Sequence, residues 1–188
     1  MILAENKIFT IHTKNTTYQF MADKYDNLLH LYYGRKTEGT MDYLLWQKDC
    51  GFSGNPYYAG TDRTYSMDFL PQEFPCRGTG DFRSPCFDVR YEDTSWGTEL
   101  HYKSYSITEG KYSLPGLPAV YTNNAKAENA QTLEIVLEDD VRKVRVTLLY
   151  GVLPEYDVIT RSAFVTNFGK ETFYVTKLQS ACLDFTSG

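Results

Sequence analysis

Apolar and polar residues alternate along much of this chain, and this two-residue period is typical of β-strands with one buried face. The alternation is most regular at 133–138 and 144–148, where every second position is Leu, Ile or Val. Side chains two positions apart point to the same face of a strand, so these residues are expected to lie in the core. They are Leu133, Ile135, Leu137, Val144, Val146 and Leu148.

The segment that links these two runs carries charges of both signs. Acidic residues at 138–140 are followed by basic residues within 142–145, which predicts a hairpin with complementary charges on its solvent face. Two further β-like runs, 157–167 and 172–185, are separated by a turn-like stretch at 168–171. Four strands joined by tight turns predict an antiparallel meander.

Shorter alternating runs in the first 35 residues predict another hairpin. Tyr18 and Phe20 are expected to share one face of a strand, and residues 23–27 to form the turn. The returning strand is expected to place Leu29, Leu31 and Tyr33 on a single face. The stretch MDYLLWQK (41–48) is the one segment whose pattern suits a helix, of about two turns.

An irregular stretch of about residues 50–90, here called the excursion, separates the two β-rich halves. It contains the sequence TYSMDFLPQEFPCRGTGDFRSPCFDV (64–89), which is too polar for a core strand and too rich in Pro and Gly for a helix. Its Phe, Tyr, Met and Leu residues are unlike a disordered linker, so we expect an ordered, packed segment. The chain is therefore expected to be one all-β sandwich domain spanning residues 1–188, with little helix.

Composition excludes several classes of function. The net charge of −5 and a pI near 5.2 disfavour a nucleic-acid partner. No apolar stretch reaches the roughly 18 residues of a membrane span, and the N-terminus has no secretory signal pattern. The four cysteines have no metal-ligand spacing. We expect a cytoplasmic protein with reduced thiols and neither cofactor nor metal; a disulfide is the alternative.

No catalytic constellation stands out among the acids and histidines. Asp139 and Asp140, like Glu92 and Asp93, are adjacent, and adjacent strand residues point to opposite faces, so neither pair can flank one bond. A single histidine within a strand pattern is more often a structural residue than a catalyst. The histidines in question are His12, His30 and His101.

Four ordered motifs carry a family resemblance. DRTYSMDFLPQEFPCRGTGDFRSP is followed by GLPAVY, then TLEIVLED, then VTLLYGVLPEYDVITRSAFVTNFG. From about residue 20 to 186 the chain resembles the amino-terminal domain of bacterial α-galactosidases of glycoside hydrolase family 36. Met67 and Phe74 are mild departures from the family pattern, as are two cysteines, Cys76 and Cys86. The resemblance implies an antiparallel β-supersandwich of the galactose-mutarotase type.

The resemblance also implies that catalysis belongs to a different domain of the parent protein. In the family this domain precedes a (β/α)8 barrel that carries both catalytic aspartates, which a retaining glycosidase holds about 5 Å apart. This chain ends before such a barrel, so alone it is expected to be inactive. The implied partners are that barrel, α-galactosides such as melibiose and raffinose, and further copies in a tetramer. The implied substrate-binding or interface candidates are Asp62, Arg63, Asp68, Gln72, Glu73, Asp81 and Arg83.

Two alternatives stay open at the level of sequence. The charged residues of the excursion could simply brace the loop through internal ion pairs. The chain could also be a stand-alone structural oligomerisation domain or a carbohydrate-binding module. A binding module would use exposed aromatic side chains, with Trp46, Tyr57, Tyr58, Tyr65 and Trp96 as candidates.

Overall fold

The computed structural model describes residues 1–45, 62, 64–78, 80–117 and 129–183. Of these residues, 49% lie in β-strands and 4% are helical, all in short 3-10 turns. Every strand pairing is antiparallel. The predicted all-β class is confirmed. Within the described ranges no helix is long and apolar enough to cross a membrane.

The first sheet is a meander of four strands in sequence order. Its strands are β1 (Ile2–Glu5), β2 (Ile8–His12), β3 (Thr16–Ala22) and β4 (Leu28–Arg35). The predicted turn between β3 and β4 is present. It is stabilised by the Asp23 carboxylate, which accepts hydrogen bonds from the backbone amides of Tyr25 and Asn27 at 2.9 Å.

The prediction that Leu29, Leu31 and Tyr33 share one face of β4 is wrong, because a β-bulge interrupts the pairing of β3 with β4. Tyr18 lies opposite Tyr33, but the pairing shifts by one residue after Gln19, so that Phe20 lies opposite His30. An extra residue in one strand reverses the inward and outward alternation beyond it. Leu29 consequently lies opposite Met21, on the other face of the sheet from Tyr33.

The second sheet contains, in this spatial order, β6 (His101–Glu109), β7 (Gln131–Asp139), β8 (Val144–Leu153) and β9 (Val158–Asn167). The six core residues predicted in β7 and β8 are all 0–2% exposed, and the predicted hairpin is confirmed, with Glu138 opposite Arg145. Asp139 differs from the prediction: it is buried and accepts turn amides instead of facing solvent.

The predicted four-stranded meander stops after three strands. β10 (Phe173–Leu178) pairs with β5 (Phe87–Tyr91) in a separate two-stranded sheet instead of continuing beside β9. Local turn signals predicted the chain reversal at 168–171 correctly. They carry no information about a partner strand more than 80 positions away.

The two large sheets face each other across one core. Phe20 of β3 stacks on Tyr150 of β8 with ring centroids 4.8 Å apart, and Phe9 of β2 meets Tyr102 of β6 at 5.8 Å. A single hydrophobic cluster includes residues of both sheets and of β5. This arrangement confirms the predicted sandwich.

The predicted helix at 41–48 is reduced to one 3-10 turn at Asp42–Leu44 within the described residues; residues 46–48 lie outside them. A second 3-10 turn spans Pro154–Tyr156. The described part of the excursion before β5 forms no strand of its own, only isolated bridges such as Leu29–Gln72. Nevertheless Tyr65, Met67 and Leu70 are each at most 2% exposed, so the expectation of an ordered, packed segment is confirmed there.

Candidate functional site

The excursion is fastened to the β3–β4 hairpin at its first described residues. The Tyr65 hydroxyl donates to the Asp23 carboxylate at 2.6 Å and accepts from the Asn27 amide at 2.7 Å. Around this contact Leu29, Tyr65, Met67 and Leu70 form a second, smaller hydrophobic cluster. Tyr65 is therefore only 1% exposed, and it cannot serve as the sugar-stacking aromatic that the binding-module hypothesis required.

The middle of the excursion runs along the free edge of β4. The His30 amide donates to the Pro71 carbonyl at 2.7 Å, and the Glu73 amide donates to the Leu28 carbonyl at 2.9 Å. These bonds satisfy backbone groups that an edge strand would otherwise leave open. They also carry the Glu73 side chain into the space between the two sheets.

Glu73 is the centre of a buried polar network. Its carboxylate accepts from the Tyr18 hydroxyl at 2.7 and 2.8 Å, from the Tyr150 hydroxyl at 2.8 Å, and from Arg161 Nη1 at 2.7 Å. His30 Nδ1 lies 3.2 Å from the second carboxylate oxygen. The Glu73 side chain is 0% exposed and that of Arg161 is 10% exposed, so the ion pair is almost wholly removed from solvent.

The network keeps its ions charged. Burial is the largest influence on the pKa of Glu73 and acts to raise it, but Arg161, His30 and Tyr18 outweigh burial and the pKa is lowered. Burial and the neighbouring carboxylate raise the pKa of the Tyr18 hydroxyl well above its usual value. Tyr18 is therefore a donor and Glu73 an acceptor, and the two residues are only 4% and 0% exposed. This geometry suits bracing and not proton transfer to a ligand.

The end of the excursion is held by Arg83. Its guanidinium bonds both oxygens of Asp81 at 2.8–2.9 Å and donates to the backbone carbonyls of Leu70 and Met67 at 2.6 and 3.1 Å. The side-chain amide of Gln72 donates a further hydrogen bond to the Asp81 carboxylate at 2.7 Å. Burial would raise the pKa of Asp81, but the bonds from Arg83 and Gln72 lower it. The loop is thus closed on itself by charge-assisted hydrogen bonds.

The remaining candidates lie nearer the surface. Asp62 accepts from the amide and hydroxyl of Thr64 at 2.9 and 2.6 Å, and these two bonds lower its pKa. Asp68 makes a long contact of 3.5 Å with the Phe82 amide. Arg63 lies outside the described residues. Of the seven predicted site residues, the structure brings Gln72, Asp81 and Arg83 together and places Glu73 in a separate buried network.

Phe82 is the most exposed aromatic side chain in the described part of the excursion. Phe82 is 86% exposed although its neighbour Asp81 is 8% exposed and Arg83 is fixed by four acceptors. It borders a cleft of about 690 Å³ whose other lining residues include Arg77 and Ser84. A large apolar group on a rigid support is the usual form of an interface anchor. Phe82 was not among the residues that the sequence motifs singled out as candidates.

Other candidate chemistry is accounted for by local contacts. The three histidines each have a hydrogen-bond partner, as expected for structural residues. Trp96 is 47% exposed and lies beneath the Arg77 guanidinium at 5.2 Å, whereas Trp46, Tyr57 and Tyr58 lie outside the described residues. Among the described residues no group of three or more His, Cys, Asp or Glu side chains could hold a metal ion.

The described residues form an antiparallel β-sandwich domain that is braced by a packed excursion. The family model described as "Glycosyl hydrolase family 36 N-terminal domain" matches residues 26–188, and the chain belongs to that family.

Individual relatives support the same assignment. The chain is 54% identical over 182 residues to the bifunctional alpha-galactosidase/sucrose kinase AgaSK of Mediterraneibacter gnavus, a match that covers 97% of this chain and 19% of the relative. It is 39% identical to the alpha-galactosidase Mel36A of Lactobacillus acidophilus, covering 96% of this chain and 24% of the relative. The chain therefore spans about a fifth to a quarter of the length of these relatives.

Solved structures show the same relationship. The galactosidase domain of AgaSK superposes with a TM-score of 0.92 at 52% identity, covering 98% of this chain and 26% of that one. The alpha-galactosidase AgaB of Geobacillus stearothermophilus gives a TM-score of 0.87 at 37% identity, covering 96% and 24%. A variant of AgaA from the same organism, solved in complex with raffinose, gives a TM-score of 0.85 at 37% identity, covering 93% and 24%. The likeness extends over almost the whole sandwich.

Proposed function

We propose that this chain is the non-catalytic amino-terminal domain of an α-galactosidase that hydrolyses terminal α-linked galactose. The observation that carries the proposal is the match to alpha-galactosidases over 96–97% of the chain at 39–54% identity. Within the described residues the Glu73 carboxylate is sealed inside the core. The chain spans only 19–24% of the length of these relatives, and we assign the two catalytic carboxylates to a separate catalytic barrel of the same protein.

The proposed substrates are galactosides of the raffinose type. Related structures of AgaA hold raffinose and stachyose, which are neutral oligosaccharides. The proposed role of the excursion is to reach a neighbouring subunit of a homo-tetramer and shape the wall of its substrate pocket. Support comes from the ion pair of Asp81 and Arg83, which fixes the loop while leaving Phe82 in solvent.

The proposed location is the cytoplasm. Three described cysteines, Cys76, Cys86 and Cys182, are reduced and form no disulfide, and reduced thiols are typical of that compartment.

Two measurements test this function. The 188-residue chain alone is expected to release no nitrophenol from nitrophenyl α-galactoside, whereas the full-length protein hydrolyses it. Turnover by the isolated chain that a single acid substitution within it abolishes would overturn the proposal.

The second measurement concerns the role of the excursion. In the full-length protein Asp68→Ala is expected to reduce kcat/KM, because misplacing a pocket wall by about 1 Å can cost on the order of 100-fold. Arg83→Ala should reduce it too, together with some stability, since Arg83 holds two backbone carbonyls. Melting temperature and oligomeric state are measured on the same samples. If the Asp68→Ala protein has unchanged kinetics, or only melts at a lower temperature with full activity per folded molecule, the excursion has a structural role alone.

A further inference from the structure

Cys86 lies at the entry to β5, between two other segments of the chain. Its amide donates to the Pro75 carbonyl at 2.8 Å, and its carbonyl accepts from the Gln179 amide at 2.9 Å. The second bond extends the β5–β10 pairing by one step, since Leu178 lies opposite Phe87. Strand pairing therefore brings the segment that follows β10 against Cys86.

That segment carries a second thiol three residues further on. Cys182 packs against the hydrophobic cluster to which Cys86 belongs, and it lies close enough to the Cys86 thiol to raise the pKa of that thiol. Cys86 is 0% exposed, whereas Cys182 is only partly buried. A buried thiol in contact with a more accessible one is the arrangement of a resolving and an attacking cysteine.

We propose that Cys86 and Cys182 are a redox pair that forms a disulfide on exposure to an oxidised small-molecule disulfide such as glutathione disulfide. In the first step the Cys182 thiolate attacks one sulfur of glutathione disulfide, forming a mixed disulfide and releasing one glutathione. In the second step the Cys86 sulfur attacks the Cys182 sulfur and the Cys86 proton passes to the departing glutathione thiolate, which leaves as the second glutathione. The protein loses two electrons and two protons, and glutathione disulfide is reduced to two thiols.

The surroundings of Cys86 determine which thiol reacts first and how fast the second step is. Burial, followed by the neighbouring Cys182, raises the pKa of the Cys86 thiol to about 12. Cys86 is therefore a poor first nucleophile, and the mixed disulfide at Cys182 is expected to build up before the protein disulfide replaces it. Cys76 is also a poor nucleophile, because it is buried and its pKa is raised by burial and by Cys86.

The bond would fasten two distant parts of the domain. It joins the end of the excursion to the segment after β10, closing a loop of roughly 95 residues, and such a closure restricts the unfolded chain strongly. The excursion would be held more firmly in the oxidised protein than in the reduced one. The pair thus couples the thiol redox state to the rigidity of this domain.

The test uses the folded protein and glutathione disulfide. Samples are quenched with acid over time, alkylated and mapped by peptide mass spectrometry. The expected result is a transient glutathione adduct at Cys182, followed by a cross-linked peptide pair containing Cys86 and Cys182 and an intact mass lower by two hydrogen atoms. The oxidised protein should melt roughly 5–15 °C higher than the reduced one, and dithiothreitol should reverse the shift.

Two variants give matched controls. Cys50→Ser removes a thiol outside this pair and should still form the bond, whereas Cys182→Ser should not. Mapping of the unmodified protein does not depend on either variant folding well. A Cys76–Cys86 bond, a glutathione adduct that never resolves, no oxidation at all, or equal melting temperatures for the two forms would each overturn the proposal.

Discussion

Glu73 and Arg161 are 88 positions apart in the sequence, and their side chains meet at 2.7 Å inside the sandwich. Glu73 comes from the excursion and Arg161 from β9, the outermost strand of the second sheet. The guanidinium also lies 4.0 Å above the Tyr150 ring. One ion pair therefore connects the excursion to the second sheet, and through Tyr18 to the first.

Removing one charge of this pair should destabilise the domain strongly. Glu73→Gln leaves a buried guanidinium without its counter-charge, and loss of one partner of a buried pair costs about 3–5 kcal/mol. Urea denaturation measures the free energy of unfolding. The matched control is Glu138→Gln, whose partner Arg145 is 43% exposed; it should cost about 1 kcal/mol or less. Equal losses in the two variants would show that Glu73 is not the centre of the network.

Acidification should also reveal the contribution of Glu73 to stability. The pKa of Glu73 is lowered in the folded protein from its ordinary value of 4.5, because Arg161, His30 and Tyr18 outweigh the opposing effect of burial. Its stabilising contribution is therefore present above about pH 4.5 and is lost as the pH falls through the lower, folded-state pKa. The free energy of unfolding should fall on acidification below pH 4.5 more steeply in the native protein than in Glu73→Gln. Parallel curves would contradict this assignment.

The fold depends on one close approach of two glycines. Gly78 has a φ of +104°, and a Cβ atom there would lie 2.8 Å from the Gly97 Cα. Gly78→Ala should therefore destabilise the domain by about 1–3 kcal/mol, since both the backbone conformation and the contact are strained. Gly39→Ala is the control, because nothing lies within 4 Å of its Cβ position. A Gly78→Ala protein that unfolds at the same urea concentration as the control would refute this account.

Local sequence patterns predicted the parts of the fold that local rules determine. The alternation in β7 and β8 placed their core residues correctly, because each strand has one buried face. The same rule failed in β4, where a bulge at Gln19–Phe20 changes the register without a glycine or proline to mark it. It also could not show that β10 pairs with β5, since that choice depends on long-range packing.

The candidate site was predictable only in part. The motifs drew attention to Gln72, Asp81 and Arg83, which do meet. Arg161 lies within one of the family motifs, but neither the motif nor the alternation around it indicates a partner 88 positions away, so its pairing with Glu73 required the three-dimensional structure. The exposure of Phe82 was missed for a similar reason, because an aromatic residue in a loop is ordinarily read as packing.

The central claim, that the excursion acts on a substrate pocket outside this domain, is tested most directly by Phe82→Ala in the full-length protein. Phe82 is 86% exposed, so its removal should leave the melting temperature of the domain unchanged, and Val141→Ala in the β7–β8 turn is a control of equal exposure. The measurement is kcat/KM for raffinose, with the oligomeric state checked on the same samples. We expect Phe82→Ala to lower kcat/KM by about 10-fold or more, as for loss of an interface anchor, and Val141→Ala to leave it unchanged. If Phe82→Ala retains the activity and assembly of the Val141→Ala protein, the excursion does not reach the pocket and the claim is wrong.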